Sequence, residues 1–335
     1  MQKNYIIPVF IPELACPNRC IFCDQHALSG QMKAPDVKET TAIIESHLQT
    51  INNENAKIEI GFFGGNFTGI PMTQQEEYLK LANQYLIANK IHAIRISTRP
   101  DYINEEVLKL LKKFNVQTIE LGAQSMNDEV LKQSGRGHTA ADVTTASTII
   151  RNAGFSLGLQ MMIGLPGDDT EKNISTANKI IALGADNTRI YPLLVIKDTE
   201  LADQFRIGKY KPLSIEEAVE QTKNVYLLFE KANIKILRVG LHPSEALLNG
   251  DNLVAGPFHT SFRELVLSSI WKDIFSPLLM NQNKSSITIH VPENEYNYAI
   301  GYSSQNKNLL LQDYKNVIVL RDASLTKRNF YVDID

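Results

Sequence analysis

Strand-like and helix-like segments alternate along most of this 335-residue chain, and that alternation constrains the fold more than any other feature. NYIIPVFI, KIEIGFFGG, AIRISTRP, TIELGAQS, SLGLQMMIGLP and NTRIYPLLVI read as short apolar strands. VKETTAIIESHLQTI, QQEEYLKLANQYLIA, NEEVLKLLKKF, AADVTTASTIIRNA, TEKNISTANKIIALG and SIEEAVEQTKNVYLLFEKA carry their apolar residues at helical spacing. Repeated βα units mean a parallel sheet with right-handed helical crossovers on its outside. The expected class is α/β, a partial or full (β/α) barrel of the TIM type, with an open doubly wound sheet as the alternative. In both, ligands bind beyond the carboxyl ends of the strands. The alternation weakens near residue 245. The expected organisation is a barrel domain over residues 1–245, a connecting or lid segment over 246–284, and a small α+β module over 285–335.

Composition bears mainly on what the chain is not. A net charge of −3 gives no basic face that by itself implies nucleic acid. The N-terminal MQKNYIIPVFIPELACP lacks a basic segment followed by a long apolar stretch, so no signal peptide is read there. FSLGLQMMIGLPG is too short to span a bilayer and contains Gly and Pro. A cytoplasmic protein without membrane attachment is expected, and there thiols stay reduced.

The only cysteines are Cys16, Cys20 and Cys23, in ACPNRCIFCDQ just after the first strand. Such a cluster in a reducing compartment points to metal rather than to a disulfide. A zinc site takes four ligands, and His26 is available as a fourth. A [4Fe–4S] cubane ordinarily takes four thiolates. With three, one iron stays open to a small molecule. Incidental buried thiols are the remaining reading.

Further motifs follow the later strands. Gly64-Gly65-Asn66-Phe67-Thr68 lets the backbone approach a ligand, or makes an ordinary strand-to-helix turn. In Ser97-Thr98-Arg99-Pro100-Asp101, polar side chains can face a barrel mouth, while Pro100 can stop the strand and Asp101 cap a helix. Gln124 ends a strand. Arg136, between Gly135 and Gly137, offers a planar fork suited to a carboxylate, or is a surface arginine. Met162, Ile163, Gly164 and Leu165 close an apolar strand that is otherwise core. His242, in RVGLHPS, is a weak candidate for proton exchange and as readily a structural histidine. GPFH at 256–259 is a possible lid.

Taken in order, ACPNRCIFCDQ, GFFGGNFTGIP, ISTRPDYI, IELGAQSMNDEVLKQSGRGHT, MMIGLPGDD and YPLLVIKDTELADQFRIGKYKP resemble the radical S-adenosylmethionine (SAM) superfamily. Within it they resemble the radical SAM core of the Elongator catalytic subunit, which modifies wobble uridine in tRNA. A weaker resemblance reaches oxygen-independent coproporphyrinogen oxidase, which more often carries an acidic residue at the position of Gln160. The resemblance implies that Cys16, Cys20 and Cys23 hold a [4Fe–4S] cluster and that SAM chelates the open iron. It implies reductive cleavage of SAM to a 5′-deoxyadenosyl radical that takes a hydrogen atom from substrate. Gly64, Gly65 and Asn66 would lie at the methionine amino group, with Ser97, Thr98 and Arg99 along the methionine or ribose. Arg136 would hold the carboxylate, Gln124 the ribose, and Met162 and Ile163 the adenine. An electron donor of flavodoxin or ferredoxin type is implied, with tRNA or another RNA as the leading substrate class. A small molecule of porphyrinogen type, a peptide, or a non-enzymatic metal-binding RNA adaptor are the alternatives.

The resemblance stops short of the family's acetyl transfer. Roughly ninety residues follow residue 245, with no acetyl-CoA signature, and the cysteines of that family's zinc site are absent. The tail instead has the β-α-α-β-β order of a KH domain. Its backbone-clamping loop is degenerate, reading Gly301-Tyr302-Ser303-Ser304 where a KH domain has GxxG. A structural or dimerisation module is the other reading.

Overall fold

Seven parallel strands run in one sheet: β1 (Asn4–Phe10), β2 (Lys57–Phe63), β3 (Ala93–Thr98), β4 (Thr118–Gln124), β5 (Ser156–Ile163), β6 (Asn187–Pro192) and β8 (Lys235–Val239). A two-residue strand, β7 (Val195–Ile196), pairs antiparallel with β9 (Leu253–Ala255) beside it. The computed structural model describes residues 4–12, 16, 20–24, 33–51, 55–241, 245–280 and 284–334. They divide into one unit of residues 1–214 with 225–258 and a second of residues 215–224 with 259–335.

The sheet's order is β1-β2-β3-β4-β5-β6-β8, the order of the chain. A doubly wound sheet must reverse direction at a switch point. This one never does, so it is a barrel wound one way. Its end strands β1 and β8 each have one neighbour, which makes the barrel partial. Burial explains why its strands read as continuous apolar runs. Six of the seven residues of β4 are buried, because helices cover one face and the barrel interior covers the other. Side-chain caps stop and start the covering helices. Asp36 and Glu39 form a capping box on Val37–Thr50, and Thr139 and Asp142 form another on Ala140–Asn152. Pro100 opens a 3-10 turn rather than an α-helix, and Asn104, not Asp101, caps Glu105–Lys113 by accepting from the Val107 N–H.

The second unit has a three-stranded sheet, ordered β11-β10-β12, from β10 (Lys284–Pro292), β11 (Tyr314–Asp322) and β12 (Tyr331–Ile334). β10 and β11 are parallel, and short helices Tyr296–Ile300 and Gln305–Leu310 make the crossover between them. Its core packs Trp271 and Phe275 of helix Phe262–Phe275 against Ile287, Ile289 and Val317. The Trp271 indole N–H donates to Glu295 at 2.9 Å, satisfying a buried donor.

Candidate cofactor site at the carboxyl ends of the strands

The stretch after β1 is tied by backbone bonds at two points, Ile11 and Ile21. Ile11 N–H donates to the Phe63 carbonyl at 2.7 Å, tying the chain to the end of β2. Gly64 follows Phe63 with φ +84°, a left-handed conformation that glycine adopts without strain. Between Cys20 and Cys23, Ile21 N–H donates to the Ser134 carbonyl, and Leu201 N–H donates to the Ile21 carbonyl at 2.7 Å. Cys20 is buried, Cys16 and Cys23 are half-buried, and no disulfide joins them. Cys20 and Phe22 pack with Met162, Leu165, Leu193 and Tyr210. Among the described residues no three His, Cys, Asp or Glu side chains converge as a ready-made metal site.

Arg136 ties this loop to β4. Its Nη1 donates to Cys20 Sγ at 3.1 Å and its Nη2 to the Gly122 carbonyl at 2.8 Å. The Arg136 carbonyl accepts from Arg99 Nη2 at 2.8 Å. Arg99 also forks onto Asp101, with Nε and Nη2 at 2.9 and 2.8 Å from its oxygens. Burial pulls the Arg99 pKa down, but Asp101, then Cys20 and Cys16, outweigh it and hold it raised. β4 ends in a register shift between Leu121 and Gln124, and Gln124 sits in the left-handed region at φ +62°. A strand bulge of this kind re-aims a side chain. Arg136 Nε, Arg99 Nη1 and Gln124 Oε1 are all buried without a hydrogen-bond partner among the described residues.

Several expected residues come together here and others do not. Asn66 Oδ1 accepts from the Thr98 hydroxyl at 2.6 Å and from Arg99 N–H at 3.3 Å, so Asn66, Thr98 and Arg99 form one buried cluster. Ser97, one residue earlier, projects from the opposite face of β3 and accepts from Gln160 Nε2 at 3.2 Å. Met162 joins the cysteine loop's apolar cluster, whereas Ile163 is wholly buried in the core. Gly65, at φ +86°, follows Gly64 in the turn after β2. His242 lies outside the described residues, as does His26. The stretch at 256–259 follows β9, where Val195 is in register with Ala255.

The structure adds residues that sequence reasoning passed over. His138 is 4 % exposed, with Nε2 3.3 Å from the Ala123 carbonyl. That contact requires a proton on Nε2 and leaves Nδ1 an acceptor, which has no partner among the described residues. Burial first, then the Arg136 charge, pushes its pKa down to about 4, so the ring is neutral near pH 7. Midway along the strands lies a second polar cluster. Glu120 accepts from Arg95, from Arg189 Nε at 2.7 Å and from Gln160 Nε2 at 2.9 Å, while Arg95 also reaches Glu59. Burial pushes the Glu120 pKa up, and the two arginines outweigh it and hold it low. The readable signal was a lone charge inside each of AIRIST, TIELGAQ and NTRIYP, which a buried strand tolerates only when paired.

A partial (β/α) barrel gathering a thiol-bearing loop, a neutral buried histidine and arginines with unused donors at its strand ends defines a cofactor-dependent α/β enzyme. The family profile described as Radical SAM superfamily matches residues 11–180, and that described as Radical SAM C-terminal domain matches residues 185–272. The chain belongs to the radical SAM superfamily and is a radical SAM enzyme. It is 32 % identical over 255 residues to the tRNA uridine(34) acetyltransferase of Methanocaldococcus jannaschii, covering 64 % of this chain and 47 % of the relative. It is 27 % identical over 201 residues to Elongator complex protein 3 of Saccharomyces cerevisiae, covering 54 % of this chain and 36 % of that protein. The structure of archaeal Methanocaldococcus infernus Elp3 with its N-terminus deleted superposes with a TM-score of 0.64 at 23 % identity, covering 82 % of this chain and 64 % of that one. The chain thus resembles the radical SAM core of the Elongator catalytic subunit, and it spans about half the length of the curated acetyltransferase relatives it matches. No helix among the described residues is long and apolar enough to cross a membrane.

Proposed function

We propose that this chain binds a [4Fe–4S] cluster through Cys16, Cys20 and Cys23, cleaves SAM reductively, and acts on tRNA. One observation carries the cofactor reading. At the cysteine loop, Arg136 spends Nη1 on Cys20 Sγ and Nη2 on a carbonyl, and keeps Nε buried and unused. A buried guanidinium donor left unpaired is costly, and an amino-acid carboxylate relieves that cost. Three thiols and no fourth fit a cluster with one open iron. When bound, the cluster and SAM supply a carbon-centred radical able to take a hydrogen atom. The chain's residues position and shield that chemistry. Arg136 and Arg99 offer positive charge, Gln124 an unused acceptor, His138 a neutral ring that adds no further positive charge, and Phe22, Met162 and Leu193 an apolar wall that excludes water.

The names of the tRNA uridine(34) acetyltransferase relatives support tRNA as substrate class. We place the enzyme in the cytoplasm, with a reductant of flavodoxin or ferredoxin type. The degenerate KH-like loop lends the RNA reading little. Tyr302 N–H, at its centre, already donates to Ser268 Oγ at 3.0 Å, and Asn306 Nδ2 donates to the Ser268 carbonyl. The first of these bonds leaves one loop amide fewer to clamp a phosphate. The test is anaerobic reconstitution followed by SAM, dithionite and total tRNA. About four irons per chain and 5′-deoxyadenosine whose yield rises with tRNA are expected. Colourless protein holding a single zinc overturns the cofactor reading. Cleavage indifferent to tRNA, with no tRNA binding at low salt, overturns the substrate reading.

A further inference from the structure

The polar network inside the barrel leaves one inward cation over. Arg95 pairs with Glu59 and Glu120, and Arg189 forks onto Glu120 with Nε and Nη2 at 2.7 and 3.1 Å, so both carboxylates are occupied. Arg238 stands in register with Arg189 on the neighbouring strand β8. It makes no hydrogen bond or ion pair with any described residue. A bulge sets its direction. Thr188 pairs with Ile236 and Arg189 with Arg238, so Leu237 is an extra residue in β8. Without that residue Leu237 would stand opposite Arg189, and Arg238 would turn to the other face of the sheet.

Two arginines thus lie side by side with no carboxylate assigned to the second. Burial pulls the Arg238 pKa below its usual value; Tyr191 opposes this and the Arg189 charge adds to it. The guanidinium stays protonated at neutral pH all the same, and it lacks a counter-ion. Water reaches this part of the interior. Ser97, Gln160 and Tyr191 are half-buried, although the residues before and after each on its strand are buried, and Arg238 is half-buried too. Gln160 donates to the Ser97 hydroxyl at 3.2 Å and stands in register with Arg189. Arg189 spans the interior to the Phe63 ring of β2, 5.0 Å from its centroid. Burial pushes the Tyr191 phenol up, so it remains an O–H donor.

We propose that the barrel interior takes one phosphodiester of a bound RNA strand on Arg238, with the attached nucleoside in front of Tyr191, Gln160 and Ser97. One spare positive charge matches the single negative charge of a phosphodiester, and the planar fork of N–H donors suits its two free oxygens. The uncharged Tyr191, Gln160 and Ser97 suit sugar hydroxyls and base edges. Arg238 is thereby a substrate-binding residue and takes no part in the radical step. RNA as the bearer of the phosphate rests on the tRNA reading above. The demand for an oxyanion rests on the spare charge alone.

Phenylglyoxal labelling of the anaerobic, cluster-loaded full chain, read arginine by arginine in a mass spectrometer, tests this. Arg238 is expected to label at least about tenfold faster than Arg95, Arg99 and Arg189, whose forks are held by carboxylates. The dinucleotide UpU should slow that labelling about tenfold, as one charge-assisted contact implies, whereas uridine and acetate should not. Arg238→Ala should raise the KM for tRNA in tRNA-stimulated SAM cleavage about tenfold, with iron content and SAM affinity those of the parent. Arg238→Lys should recover part of the loss, and circular dichroism checks that both variants are folded. Protection by UpU with cleavage indifferent to tRNA upholds the phosphate site and removes only the tRNA reading. Equal stimulation by tRNA in parent and Arg238→Ala, or no protection by UpU, overturns the site and leaves the tRNA reading standing. Slow labelling of Arg238 in the free enzyme overturns it too, because a counter-ion would already be in place. Protection by acetate as strong as by UpU, or by SAM alone, also overturns it, since the charge would then serve a carboxylate or the cofactor.

Discussion

Two polar clusters share this barrel, and they differ in how their hydrogen bonds close. Midway along the strands, Arg95, Glu120, Gln160 and Arg189 hold one another, with Glu120 taking three partners. At the strand ends, Arg99, Gln124, Arg136 and His138 each keep one buried polar atom without a partner. Both clusters are buried, so burial alone does not separate structure from function. Unfilled valence does. A closed network fixes the relation between strands, and an open one is completed by something that arrives.

The largest expected effect falls on the open side. Cys20→Ala should reduce SAM cleavage to background, a loss on the order of a thousandfold, because a cluster short of a thiolate is not held; substantial cleavage by that variant breaks the cofactor reading. On the closed side, Glu120→Gln should destabilise the fold by about 3–5 kcal/mol in urea melts, since two arginines are left buried without a counter-ion. A small change there would mean the inner network is not sealed. Next, Arg136→Ala should weaken SAM binding by about ten- to a hundredfold, the worth of a lost charged hydrogen bond, while iron content stays near that of the parent. If Arg136→Ala instead unfolds the chain, Arg136 belongs with Glu120 and the contrast fails.

Smaller effects follow from pH. The Asp168 carboxyl, raised to about 7, binds its proton more tightly folded than unfolded, so its contribution to stability is lost as pH rises from about 4 to about 7. His138, lowered to about 4, binds its proton more weakly when folded. Its contribution is present above about 6.5 and is lost as pH falls toward 4. Asp168→Asn should remove only the first trend, raising the unfolding free energy from urea melts at pH 7 more than at pH 5, by an amount on the order of 2 kcal/mol. Parallel stability–pH profiles for parent and variant would contradict the burial assigned to Asp168.

Much of this was legible from residue order. The six apolar strands and the helices between them appear in the structure, in sequential parallel order, and the glycine-bearing turns lie at the strand ends. What residue order concealed was direction. Ser97 and Thr98 are neighbours that point to opposite faces of β3, and only the pleat says which meets Asn66. Asp168 and Asp169 are chemically identical, and the helix start decides that one caps while the other is buried. His138 hides between Gly137 and the capping Thr139, and nothing local marks it as buried. Arg95 and Arg189 are 94 residues apart with Glu120 between them, and they meet only because β3, β4 and β6 curl around one interior.

The cysteine loop is tethered at Ile11 and again at Ile21, each by backbone bonds to a different strand or helix connection. Cys16 and Cys20 lie between these two tethers and Cys23 lies two residues past the second, so the three thiols are confined to one short stretch of chain. Capture of one iron raises the effective concentration of the remaining thiols around it. Assembly of the metal centre should therefore depend on the loop's span more than on the strength of any single thiolate, and lengthening the span by a few glycines should slow cluster loading without altering the melting of the barrel.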